Sequence, residues 1–206
     1  MDALLCMTVK LRDSEVRQMV DQRMSEFEKL GKQDDKELFK ELCFCILTAN
    51  YSAEGGIRIQ KAIGDGFLDI PRDALAARLR ELGYRFPNVR ADFIAKARRH
   101  AEGLRRIASM EAPAAREWLV ANVKGLGMKE ASHFLRNIGF RDVAIIDFHI
   151  IDSLERHGMI ERPKTLTPAK YLEIEGVLGT LAGKSGMTLG ELDLYLWYCE
   201  TGKVLK

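Results

Sequence analysis

The chain has 206 residues, of which 47% are hydrophobic and 30% charged, with a formal net charge of +2. That length and apolar content exclude a disordered chain and suffice for one large globular unit or two small ones sharing a cleft. No apolar run approaches the roughly 18–20 residues a membrane span needs, and Met1-Asp2-Ala3-Leu4-Leu5-Cys6 lacks the basic start and apolar length of a secretory leader, so a cytosolic protein is expected.

In chain order, helical periodicity dominates. A cap at Asp13 or Ser14 opens a helix through Val16, Met19, Val20, Met24, Phe27 and Leu30, with Gly31 as its stop. A second helix, about 34–49, is apolar enough to be buried on most sides, and a third covers about 53–63. A fourth begins at Pro71 and ends at Gly83, with proline inside the start and glycine past the end. Tyr84-Arg85-Phe86-Pro87-Asn88 breaks the pattern before a basic helix of about 88–108. After Pro113 a short helix carrying Trp118 and Leu119 leads into a glycine turn, and the next helix runs from Lys129 to its stop at Gly139. Residues 143–146 are too few for an independent helix and read as an extended run through the core. Asp147 then caps a helix of about 148–157, Thr167-Pro168 opens one reaching Leu181, and Thr188-Leu189-Gly190-Glu191 is a capping box for the last, about 189–200. No strand-like alternation competes. The expected class is all-α, with two helical lobes flanking a cleft: a central lobe of about 51–140 and a second built from about 1–50 plus 141–206. The cleft is the expected site.

Cys6, Cys43, Cys45 and Cys199 lack the clustered spacing of a zinc or iron–sulfur site. They read as reduced thiols, Cys43 and Cys45 being small buried hydrophobes in an apolar run, and neither a metal nor a cofactor is expected. Charge is uneven: residues 84–136 hold 11 Lys and Arg against 5 Asp and Glu, a local net of +6. Such a basic centre is the footprint of a polyanion site on one face, or else of a solvated helix face.

Lys124-Gly125-Leu126-Gly127 is flanked by Leu119 and Val123 before it and Ala131 after it. Two glycines around one apolar residue allow a tight turn with positive φ, Leu126 plugs between helices, and N–H groups at the next helix start face outward toward phosphate. This is the helix-hairpin-helix pattern, which sets register on DNA without reading sequence; an ordinary interhelix turn is the competing reading. Lys124, Gly125, Gly127 and Met128 are its DNA-binding candidates. Lys129 lies in the first turn of the following helix, where the positive dipole end disfavours a cation. A partly desolvated, neutral lysine amine is what attack on a sugar carbon requires. Asp147 reads first as a helix cap, and the same carboxylate, facing an amine across a cleft, can stabilise positive charge developing at an anomeric carbon. His149 is a helix or phosphate-side group.

The span from Val123 to Ile150 resembles the helix-hairpin-helix DNA glycosylase superfamily, in which a hairpin, a catalytic lysine and an I/V-D-x-H segment occur in this order. Residues 41–50, 52–61 and the tail Gly202-Lys203-Val204-Leu205-Lys206 resemble archaeal-type 8-oxoguanine DNA glycosylase/AP lyases, and the resemblance covers essentially the whole chain. It implies that Lys129 forms a Schiff base with deoxyribose, that Asp147 assists departure of the oxidised base, and that the partner is duplex DNA containing 8-oxoguanine. The target base must be flipped into a pocket. The Arg85-Phe86-Pro87 break supplies the candidate wedge, with core packing of Phe86 as the alternative. Trp197 offers a face on which a purine stacks, or else is a core tryptophan, and Lys206, with its carboxylate, approaches the lesion base. Some superfamily members carry a four-cysteine iron–sulfur loop near the C-terminus; here only Cys199 lies in that region. A monomer is the default, associated with the nucleoid through DNA. Two other readings stay open: a monofunctional glycosylase for alkylated or mismatched bases in which Lys129 is incidental, and a non-catalytic helix-hairpin-helix module that only binds DNA.

Overall fold

Several helix starts follow side chains that accept backbone N–H groups. Asp34 accepts from Glu37 at 3.0 Å, Ser52 from Gly55 at 3.1 Å and Thr167 from Lys170 at 3.3 Å. Thr188 and Glu191 cap each other reciprocally, Glu191 N–H donating at 3.3 Å and Thr188 N–H at 2.7 Å. The computed structural model describes residues 2–206, the Asp2 side chain excepted, and Met1, part of the segment read against a leader, lies outside them. The elements are α1 (Asp2–Arg12), α2 (Val16–Gly31), α3 (Asp35–Thr48), α4 (Ala53–Ile63), α5 (Gly66–Asp69), α6 (Arg72–Glu81) and α7 (Pro87–Ala97). They continue as α8 (Leu104–Ala108), α9 (Ala112–Asn122), α10 (Met128–Asn137), α11 (Phe148–Arg156), α12 (Pro168–Ser185) and α13 (Leu189–Thr201). No strand occurs among the described residues, and the all-α class stands.

Three elements differ from expectation. α1 has no counterpart in the sequence reading; only Leu4 and Thr8, one turn apart, are fully buried, so its apolar stripe is narrow. α5 is a single turn that inserts Phe67 into the core. The basic helix of about 88–108 is broken into α7, a 3₁₀ turn at Arg98–His100 and α8, with Gly103 at φ 95° between them. Arg98 explains the break. Its guanidinium turns inward to donate to the carbonyls of Phe67 at 2.8 Å and Ile70 at 2.6 Å, and Asp35 receives the N–H groups of Gly103 and Arg105 at 2.9 and 2.7 Å.

Two hydrophobic cores organise the chain. One runs contiguously from Leu38 to Val143; the other joins Leu4 through Phe27 to Ala144 through Val204. The division therefore falls between α2 and α3, not at residue 50. α3, expected in the terminal lobe, instead buries its apolar residues from Leu38 to Leu47 in the central core against α4, α7, α8 and α10. A helix apolar all round announces burial without naming its partner.

Candidate active site

A cavity of about 450 Å³ lies between the two cores. Thr48 to Glu54 wall one side, Lys129, His133 and Arg136 of α10 form a second, and Asp147 to Ile150, Asp193, Trp197, Leu205 and Lys206 close the remainder. Both residues read as catalytic, together with His149, Trp197 and Lys206, are thus brought to one space.

α10 delivers the amine. Gly125 takes φ 95°, and a Cβ there would fall 2.3 Å from the Phe93 ring, so a side chain is excluded by both conformation and space. Leu126 is buried in the central core, as a hairpin plug requires. Gly127 caps α10, its N–H donating to Glu130 Oε2 at 3.2 Å. The other oxygen of Glu130 pairs with Lys129 Nζ at 3.2 Å, and the lysine side chain is 29% exposed. An acidic side chain therefore occupies part of the anion-seeking helix start and faces the amine as well. Met128 packs its side chain against the second core, which leaves only its backbone for a phosphate contact. Lys124 is exposed, its Nζ 5.8 Å from the centre of the Phe93 ring.

Asp147 arrives on an extended segment. It is a cap, accepting from Ile150 N–H at 3.0 Å. The segment before it is locked from α12: Tyr171 donates its phenol to Ala144 O at 2.6 Å and accepts from Ile146 N–H at 3.2 Å, while Ala144 N–H donates to Glu175 at 2.9 Å. Arg116, 5% exposed, grips both oxygens of Glu175 at 2.6 and 2.7 Å and reaches Ser132 of α10 at 3.2 Å. Burial pushes the Tyr171 phenol above its ordinary range, which keeps it protonated and able to donate.

Several groups that sequence reasoning passed over line the same cavity. Arg136 and Asp193 form an ion pair at 2.9 Å, and Arg136 is 3% exposed. Burial raises the Asp193 carboxyl to about 6 against the opposing pull of Arg136, with Asp147 adding to the rise. His133 is held well below the ordinary histidine range by burial, then by the charges of Arg136, Lys129 and Lys206. Its Nε2 and the Trp197 indole N–H have no hydrogen-bond partner among the described residues. Phe148, 63% exposed, lies 3.9 Å from the His149 ring, which meets Trp197 edge-on at 5.7 Å. Asp193 and Phe148 each sit beside a residue the sequence already marked, but nothing local distinguishes them from a core acid and an ordinary apolar helix residue.

Arg85 and Phe86 stand outside the cavity wall. Both are exposed, with the guanidinium 5.0 Å from the ring centre, on a loop moored through Tyr84, whose phenol donates to Leu47 O at 2.7 Å. The local +6 is partly structural: Arg90, Arg116 and Arg136 are buried, and Arg90 donates to Ala49 O at 3.1 Å.

Comparison with known proteins adds to this geometry. The family model described as 8-oxoguanine DNA glycosylase matches residues 20–187. The chain belongs to that family. A relative from Korarchaeum cryptofilum called 8-oxoguanine DNA glycosylase/AP lyase is 54% identical over 208 residues, covering 100% of this chain and 99% of the relative. Among solved structures, the Methanocaldococcus jannaschii 8-oxoguanine glycosylase/lyase in complex with a 15mer DNA containing 8-oxoguanine superposes with a TM-score of 0.96 at 51% identity, covering 99% of this chain and all of that one. The 8-oxoguanine DNA glycosylase of Thermotoga maritima gives 0.96 at 46% identity, with 100% and 99% covered. These family members match essentially the whole chain, so its overall fold is the family's.

Proposed function

We propose that the protein excises 8-oxoguanine from duplex DNA and then cleaves the strand at the resulting abasic site, with Lys129 as nucleophile and Asp147 as the assisting carboxylate. The observation that carries this reading is that, in a chain of this family, an amine and a carboxylate delivered by two helix starts share one cavity large enough for a flipped nucleotide.

The chemistry follows from the groups. Lys129 leaves Glu130, loses its proton and attacks C1′ of the flipped sugar. The bond from C1′ to the base breaks, the base departing with the electron pair and taking up a proton. Asp147 offsets the positive charge that builds at C1′ in between. The nitrogen then forms a Schiff base as the ring opens; loss of a C2′ proton expels the 3′ phosphate. Trp197 and His149 line the space for the base, the hairpin of Lys124, Gly125, Gly127 and Met128 holds phosphate, and the exposed Arg85 and Phe86 supply the wedge. The protein acts as a monomer.

Borohydride trapping on an 8-oxoguanine duplex tests the reading. A covalent adduct that disappears in Lys129→Gln is expected. Excision without an adduct would make the enzyme monofunctional, and neither activity would leave a DNA-binding module.

A further inference from the structure

The chain leaves α13 through Gly202 at φ 69° and crosses from the second core back to the first. Val204 is buried in the second core, and Leu205 and Lys206 line the cavity. The Lys206 side chain turns away from the cavity into a slot between α3, α4 and α10. There its Nζ lies 2.6 Å from Glu41 Oε2, 2.6 Å from Gln60 Oε1 and 4.2 Å from the centre of the Phe44 ring. Glu41 is 2% exposed, and its other oxygen accepts from Asn137 at 2.6 Å. Gln60 donates to Glu41 at 3.1 Å and to the carbonyl of Lys40 at 3.0 Å.

A carboxylate in the middle of the most buried helix of the protein is out of place for stability alone. A buried ion pair contributes little beyond an apolar pair of the same shape, but breaking one partner leaves a costly unpaired charge, so such pairs serve to fix one arrangement among several. Here the arrangement fixed is the place of the last residues relative to the cavity, since partners 165 positions apart are joined across the two cores.

We propose that Glu41 is a positioning residue for base excision: by gripping Lys206 Nζ inside the central core it holds residues 204–206 in place as part of the base-pocket wall. This rests on the reading that the flipped base occupies the cavity. An abasic sugar carries no base, so its cleavage does not depend on that wall. The grip therefore separates the two activities of one active site.

The test compares Glu41→Gln, Lys206→Met and the double variant with the unaltered protein. Single-turnover excision of 8-oxoguanine, cleavage of a preformed abasic duplex and thermal unfolding are measured for each. Glu41→Gln is expected to slow excision by more than about tenfold while leaving abasic-site cleavage within about twofold. Because the two residues act as one unit, the double variant is expected to be no slower than the slower single. Equal loss of both activities, unchanged excision, or losses that multiply in the double variant would each overturn the proposal. Gln60→Met keeps the ion pair while removing the second acceptor and covers the case of an unfolded Glu41 variant. It is expected to slow excision by about threefold with abasic cleavage retained, and parallel loss of both overturns the assignment. An unaltered protein inert on both substrates would instead overturn the parent reading.

Discussion

The two helix starts that line the cavity are built in opposite ways. α10 begins on glycine, its cap is a backbone N–H shared with Glu130, and Lys129 pairs, among the described residues, with its own neighbour. α11 begins on Asp147, and the segment leading to it is tied by Tyr171 and Glu175, themselves anchored by a buried arginine from another helix. The difference teaches a division of labour. A nucleophile must advance, bond and travel with its substrate, and a long side chain at a lightly capped turn permits that. A carboxylate that stabilises charge at a fixed point gains from being unable to move.

Replacing Lys129 with Gln is the strongest break of this pairing. The trapped adduct should vanish and strand cleavage fall by at least about a thousandfold, read by gel on a labelled duplex, while duplex affinity is retained. Arg116→Met attacks the rigid side instead. It leaves the partly buried Glu175 without its cation, and unfolding experiments should find a loss of about 2–4 kcal/mol. If stability is instead unchanged, the extended segment does not depend on that anchor. Asp147→Asn sharpens the comparison, because asparagine caps nearly as well as aspartate: excision should fall by about a hundredfold or more with stability altered by less than about 1 kcal/mol. A smaller effect is expected from Asp193. Its carboxyl is raised from 3.8 to about 6, so the folded state holds the proton more tightly than the unfolded chain. Its contribution is therefore full below about pH 4 and is lost as pH rises to about 6, a change of at most roughly 3 kcal/mol. In Asp193→Asn, melting temperatures measured between those pH values should lose that downward slope.

Much of the frame was legible in residues whose effect is local. Asp147, Thr167 and Thr188 cap where expected because capping needs only the next three residues. Gly125 marks its turn because no side chain fits there. What escaped depends on distant partners. Arg98 ends α7 by reaching carbonyls some thirty positions upstream, on Phe67 and Ile70, so a run with good helical propensity conceals a break. α3 was correctly read as buried, but its hydrophobicity could not tell which core would receive it. Arg136 and Asp193 are 57 positions apart, and neither advertises the other. At the site the pattern repeats: Lys129 and Asp147 carry local signatures, whereas Asp193, His133 and Glu41 acquire significance only through the space they surround.

The unequal continuity of the two cores bears on how the chain reaches this state. The central core is assembled from one unbroken stretch, Leu38 to Val143, whereas the other must join Phe27 to Ala144 across that whole stretch. Closing so long a loop costs conformational entropy before any contact repays it, and the cost grows only slowly with length once the intervening chain is disordered. If the central stretch folds first, its ends are already held near each other and the terminal segments meet at a prepared distance. During synthesis the central core can form while the last third of the chain is still emerging. On that order the cavity, lined by residues of both cores, is completed only when the terminal segments have packed.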